Sequence, residues 1–234
     1  MLSKKTLLVC FLLLASVLSA KESTIFHQDS LNYLQKNAMA IQFGISNDFN
    51  LTKFAGSSFS FKYHFSRKVA LRPICILGTR IYDRTTDINY NETSRSDSDM
   101  DYHFYNVILK LPVVYYPKPL YNATPYFGLG PLIEYYSGYQ KSKDTITSNL
   151  YRETEQEINQ WNIGISALAG AELFIRKNIS IHVEYFTSLY YQYRKETYNE
   201  THSNSRNSEK KQAWKYDNYR FDGSDVYFGL SVYF

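Results

Sequence analysis

The last ten residues of the chain, Asp225 to Phe234, read D-V-Y-F-G-L-S-V-Y-F and constrain its fold more than any other stretch. Val226, Phe228, Leu230, Val232 and Phe234 alternate with Asp225, Tyr227, Gly229, Ser231 and Tyr233. That two-residue period belongs to a β-strand with one apolar face and one mixed face. A water-soluble domain seldom ends on so apolar a strand. A closed membrane barrel can, because its outward face meets lipid and closure leaves no free edge.

The opposite terminus is consistent with export. Lys4 and Lys5 precede an apolar run from Leu7 to Leu14, and Ala15, Ser16, Ser19 and Ala20 follow as small residues. This is the pattern of a secretory signal peptide, and the run is shorter than the roughly 20 residues a membrane helix needs. Residues 1–20 are therefore expected to be removed, leaving 21–37 as an N-terminal periplasmic extension and 38–234 as one barrel domain. Cleavage would lower the formal charge from +4 to +2 through the loss of two lysines, too little to argue for nucleic acid. It would also leave Cys75 as the single cysteine, which excludes an intrachain disulfide. The 23 tyrosines suit membrane interfaces, because each has an apolar body and a polar tip.

The alternation of the last strand recurs along the chain. Ala38 to Asn47, Ser57 to Ser66, Val69 to Tyr82, Tyr102 to Tyr116, Pro125 to Ser137, Trp161 to Ile175 and Ile179 to Arg194 each place apolar residues on one face. With the terminal strand this makes about eight strands, each near the ~10 residues a tilted strand needs to cross a bilayer. Pro73, Pro112 and Pro131 fall inside strands, where each removes a ladder donor, and are expected at bulges or bends. Connections alternate between short ones (Ser66 to Lys68, Lys118 to Thr124, Arg176 to Asn178) and long polar ones (Asn47 to Gly56, Asp83 to Asp101, Gly138 to Asn159, Lys195 to Gly223). The expected fold is an all-β, eight-stranded, antiparallel up-and-down transmembrane barrel with short periplasmic turns and long, mobile external loops. The extension is expected to form a turn or two of helix around Leu31 and Leu34.

P-Y-F-G-L-G-P at Pro125 to Pro131, G-A-E-L-F-I-R-K-N-I-S-I-H-V-E-Y at Gly170 to Tyr185, and V-Y-F-G-L-S-V-Y-F at Val226 to Phe234 resemble the eight-stranded outer-membrane β-barrels of Gram-negative bacteria, the OmpA/OmpX-like family. The resemblance spans the mature chain. It implies residence in the outer membrane among lipid and lipopolysaccharide, and reading of the terminal Phe234 by the barrel-assembly machinery. It does not imply one activity, because the family includes adhesins, defence proteins, anchors and a few enzymes. No soluble peptidoglycan-binding domain is expected after the barrel, so anchoring to the cell wall is not implied.

If the apolar faces meet lipid, the opposite faces line the bore. Lys62, Arg72, Arg80 and Lys110 then balance Glu134, Glu172, Glu184 and Asp225 there, with His64 and His182 also inward. An eight-stranded barrel is just wide enough for side chains to fill it, and buried charges must pair. The expectation is a self-neutralising charged network that closes the bore, the protein acting structurally or at the surface through its loops. The alternative is a small porin-like transporter or lipid-modifying barrel. Ser66, Ser180 and Glu184 stand near the two histidines in sequence, but no nucleophile-elbow motif accompanies them, so no enzyme is expected. The five histidines show no metal-ligand spacing, and neither metal nor cofactor is expected. Five Asn-x-Ser/Thr sequons, at Asn50, Asn91, Asn122, Asn178 and Asn199, reflect a composition rich in Asn, Ser and Thr. Trp214, Tyr216 and Tyr219 among charges suit contact with an extracellular partner that the sequence does not identify.

Overall fold

A computed structural model of the chain describes residues 34–50, 55–91, 94–117, 123–147, 150–203 and 208–234. The expected signal peptide and the extension up to residue 33, with Leu31, lie outside the described residues. Ten strand segments follow in order: β1 (Met39–Asn50), β2 (Ala55–His64), β3 (Val69–Leu71), β4 (Ile74–Asn91), β5 (Ser94–Lys110), β6 (Val113–Tyr115), β7 (Ala123–Thr147), β8 (Leu150–Arg176), β9 (Ile179–Ser203) and β10 (Ser208–Tyr233).

The pairing is antiparallel and circular. β1 pairs with β10 on one side and β2 on the other, and the circuit continues through β4, β5, β7, β8 and β9 back to β10. β3 and β6 are the short-turn ends of the strands that continue as β4 and β5, so the ten segments make an eight-stranded circuit. The two interruptions coincide with prolines. Pro73 separates β3 from β4, and Pro112 separates β5 from β6. Pro131 leaves β7 unbroken and lies opposite the second gap, so it marks a break in its neighbour rather than a bulge of its own. All three carbonyls remain in use: Phe61, Arg72 and Leu111 donate their N–H groups to Pro73, Pro112 and Pro131 at 3.1, 3.0 and 3.0 Å. The donors lost to proline are thus confined to one band across three neighbouring strands. Gly130 accommodates the break, since a Cβ there would meet the Leu111 carbonyl oxygen at 2.2 Å.

The circuit closes at the chain end, where Phe234 N donates to Met39 O (3.0 Å) and Met39 N to Phe234 O (3.2 Å). The expected helical turn around Leu31 and Leu34 lies largely outside the described residues, and a tight turn at Lys36 and Asn37 leads into β1. Asn37 adopts φ 68°, its N–H donates to His64 O at 2.7 Å, and Leu34 is buried against the barrel core. An Asn tolerates that left-handed backbone because its short polar side chain can bond locally.

The long connections are not chiefly loops. β7 to β10 run for 25, 27, 25 and 26 residues, far beyond the ~10 needed to cross a bilayer. Most of the residues assigned to loops at 83–101, 138–159 and 195–223 continue as paired strands, so the expectation of mobile loops there is corrected. Polarity alone suggested loops. Cross-strand partners such as Lys141 with Glu155 and Arg152 with Glu200 carry the ladder beyond the apolar zone instead. Only β4, β5 and β7 to β10 extend this far among the described residues. β10 loses its β1 neighbour above Tyr227, and β4 its β2 neighbour above Ile76. The external part is therefore an open sheet with two edges, whereas the part below is closed.

The outer face changes character sharply along each strand. On β8 the outward row is Ile175, Leu173, Ala171, Ala169, Ala167, Ile165, Ile163 and Trp161, and then Asn159 and Glu157. Ile41, Leu77, Phe127, Leu129, Ile163 and Phe228 are all more than half exposed on this outside surface. Tyr135 and Trp161 (ring centroids 4.6 Å apart) and Tyr191 and Tyr219 (5.5 Å) form part of its upper aromatic border. A contiguous apolar belt of this extent, bordered by aromatics on a closed sheet, identifies a transmembrane barrel. Among the described residues no helix is long and apolar enough to span a membrane, as a strand-built span requires none. Leu129→Arg, in the middle of the belt, should cost about 2–4 kcal/mol of folding free energy in lipid vesicles, whereas Leu129→Ala should cost much less. Heat-modifiable gel mobility across a urea series measures both, and equal tolerance would contradict the inside–outside assignment.

Candidate functional site

Alternation places one side chain in two inside the barrel, and in the half that holds the closing contact of Met39 with Phe234 those side chains are polar and large. Lys62, Arg72, Glu172 and Glu184 are fully buried there in two ion pairs. Lys62 Nζ lies 2.9 Å from Glu172 Oε2 and donates also to Tyr233 Oη at 3.2 Å. Arg72 grips Glu184 with both terminal nitrogens, Nη2 at 2.9 Å from Oε2. The fork of the guanidinium matches the two carboxylate oxygens, which a lysine could not do.

The remaining bonding capacity is taken up by neighbours. Tyr233 Oη donates to Glu172 Oε1 at 2.7 Å, the Ser180 hydroxyl donates to the same oxygen, and the Tyr126 hydroxyl donates to Glu184. The Lys62 amine sits 5.4–5.6 Å from the ring centres of Tyr116, Tyr126 and Tyr233, so its unpaired directions face aromatic rings. From Arg72 a chain of bonds crosses the barrel: Nε to Ser60 Oγ (3.1 Å), Ser60 Oγ to Gln42 Oε1 (3.1 Å), Gln42 Nε2 to Ser231 Oγ (2.7 Å), and Ser231 Oγ to His182 Nδ1 (3.1 Å). Each of the eight strands of the circuit, with Arg72 and Tyr116 at the breaks and ends of theirs, thereby supplies a member of two bonded groups, which touch where the Lys62 amine faces the Tyr126 ring. Gly170 makes room for them, since a Cβ there would lie 2.9 Å from Tyr126 Oη.

Above this cluster Ile74, Ile76, Leu168, Phe186 and Tyr227 form a buried apolar layer. Higher still, a cavity of about 200 Å³ is lined by Lys110, Glu134, Ser188, Tyr190 and Asp222, with Phe186 among its apolar walls. Lys110 lies against the Phe186 ring (4.4 Å), and Glu134 accepts from Asn162 Nδ2 at 2.7 Å.

The sequence-predicted interior charges thus separate into two levels. Lys62, Arg72, Glu172 and Glu184 meet in the lower cluster; Lys110 and Glu134 border the upper cavity. Of Arg80 and Asp225 the backbone alone is described, and their side chains lie outside the described residues. The serines weighed as partners of the histidines are engaged elsewhere. Ser180 bonds Glu172, and Ser66 Oγ accepts the N–H groups of Lys68 and Val69 at 3.2 Å each. His182 meets Ser231 instead, and its Nε2 is 3.9 Å from Glu184 Oε1, all within the packed interior. Tyr116 and Tyr126 were not singled out in the sequence, although counting by twos from Lys110 and from Gly128 puts both inward.

Outside the membrane the external sheet carries its own charge ladder. Lys141 lies between Glu153 and Glu155, whose hydrogen bonds raise its pKa above the ordinary lysine value. Partial burial and then Glu155 raise that of Tyr139. The inner side of the same sheet pairs Arg152 with Glu200 (2.7 Å) and Arg194 with Glu196 (3.0 Å).

No protein-family model and no curated protein sequence matches the chain. Several solved structures show some likeness. A major outer membrane protein from Thermus thermophilus is 11% identical, with a TM-score of 0.45, over 84% of this chain and 98% of that one. CarO2 of Acinetobacter baumannii is 11% identical, with a TM-score of 0.40, over 86% and 100%. CarO of Acinetobacter baumannii is 14% identical, with a TM-score of 0.33, over 87% and 100%.

Removing one member of a buried pair strands the other charge in a low-dielectric interior, at about 3–5 kcal/mol. Glu172→Gln and Lys62→Met should each destabilise the barrel by that order. The double variant should cost clearly less than the sum, because no charge is left unpaired. Urea titrations of the folded barrel in vesicles measure all three, and additive losses would show that the pair is not coupled.

Proposed function

We propose that the chain is an outer-membrane β-barrel with a closed bore, serving as a rigid membrane-anchored base for its external sheet. The observation that carries this reading is the lower cluster, in which every strand contributes to a hydrogen-bonded and ion-paired filling with an apolar layer above it. A solute crossing the periplasmic half would have to break two buried ion pairs, and an eight-stranded bore has little width beyond its own side chains. The external sheet, in contrast, is accessible. Trp214 and Tyr216 are exposed on β10 beside Lys215, in a stretch whose only strand neighbour among the described residues is β9. Aromatic and basic residues on a long unpaired edge suit contact with an extracellular partner.

Planar bilayers test the closed bore. Purified wild-type barrel should give no steady single-channel currents, and steady currents would replace this reading with a small porin-like one. The upper cavity favours a second reading, a shallow externally open solute site above the closed section.

Residence in the outer membrane further predicts that Phe234 acts as an assembly signal. Its backbone also closes the barrel against Met39, so substitution separates the two roles better than deletion. Phe234→Ala should lower the amount of folded barrel in the outer membrane of cells while leaving refolding into vesicles nearly intact. Equal surface levels of variant and wild type would remove the signal role.

A further inference from the structure

The border between the apolar belt and the external sheet carries an arrangement that the closed bore does not explain. One row of outward side chains crosses β7, β8, β9 and β10 as Tyr135, Trp161, Tyr193 and Asp217. The next row outward is Ser137, Asn159, Lys195 and Lys215. Lys195 and Lys215 are direct cross-strand partners, both are exposed, and among the described residues neither amine has an ion-pair partner. Like charges directly opposite each other in an antiparallel pair are destabilising, so this pair weakens the sheet when left alone. The nearby carboxylate of Asp217 instead accepts the Tyr191 hydroxyl at 3.1 Å.

Asn159 extends the same row. Its side-chain oxygen accepts from Tyr135 Oη (3.1 Å) and Ser137 Oγ (3.4 Å), which directs its amide N–H groups away from them. The row thus offers an amide donor and two ammonium groups side by side, one residue row beyond Trp161 and Tyr193. Aromatic side chains of this kind mark the headgroup level of a bilayer, and lysine stems extend along apolar surface to place their charge there.

We propose that Asn159, Lys195 and Lys215 form a binding site for the phosphate of an outer-leaflet lipid. An anion seated between the two ammonium groups removes their repulsion and accepts from all three donors. A membrane lipid is favoured over free phosphate by position, because the row stands at headgroup height and faces the surrounding bilayer rather than the bore. The proposal rests on the transmembrane placement and gives the external rim a specific lipid contact.

The chain contains two tryptophans, so Trp214→Phe leaves Trp161, one row below the site, as the only indole. The probe is the full barrel of that background in phosphatidylcholine vesicles containing either brominated phosphatidic acid or brominated phosphatidylcholine. Quenching of Trp161 should be stronger with phosphatidic acid. The preference should fall about fivefold for each lysine removed in Lys195→Gln and Lys215→Gln. Equal quenching by both lipids, or a preference that survives in both variants, overturns the proposal while leaving the transmembrane barrel intact. No quenching by either lipid would overturn the transmembrane placement itself, and the proposal with it.

Discussion

A bilayer offers no water to an unpaired peptide group, so every backbone N–H and C=O inside it must be satisfied by the chain itself. The structure depends on this constraint. It explains why the first and last strands exchange hydrogen bonds at Met39 and Phe234 and continue as paired neighbours up to Ser46 and Tyr227. Where the outer face turns polar, the constraint lapses. The external part opens into a sheet with the edges of β4 and β10 unpaired among the described residues, since water can solvate them. The band of prolines obeys the same rule, because its lost donors are confined to one level and all three carbonyls keep partners.

Closure creates a second requirement. Eight strands enclose a narrow bore that must be filled, and the inward face of a strand in this chain is polar. Lys62, Arg72, Glu172 and Glu184 satisfy the requirement as two complementary pairs, completed by tyrosine and serine hydroxyls. Such pairs add modestly to stability compared with an apolar filling, but they penalise any slip of register, because a shift by one residue would expel a charge toward lipid. The polar interior therefore helps to specify which strands pair and at what height.

Much of this was legible in the sequence. The parity of the terminal strand assigned Phe228, Leu230 and Val232 to lipid and Ser231 and Tyr233 to the interior, and the exposures follow that assignment. The same count placed Lys62, Arg72, Glu172 and Glu184 on inward faces. What was misread were the polar halves of β7 to β10. Solubility and charge are shared by loops and by water-facing strands, and only the partner strand distinguishes them. The turn into β1 was not foreseen for a similar reason, since Asn37 is held there by the carbonyl of His64, a contact between distant parts of the chain.

The amino-acid sequence by itself determined the alternation, and with it the strand class, the lipid-facing set and the inward placement of Lys62, Arg72, Glu172 and Glu184, because side-chain parity is a local property of an extended chain. Tertiary structure decided which charges meet. Lys62 lies 110 residues from Glu172 and Arg72 lies 112 from Glu184, so their union depends on the stagger with which the circuit closes. The same stagger brought Lys195 opposite Lys215 at the membrane border and divided the inward charges between a packed cluster and an open cavity. Register between strands is set by all their pairings together, and no single segment carries it.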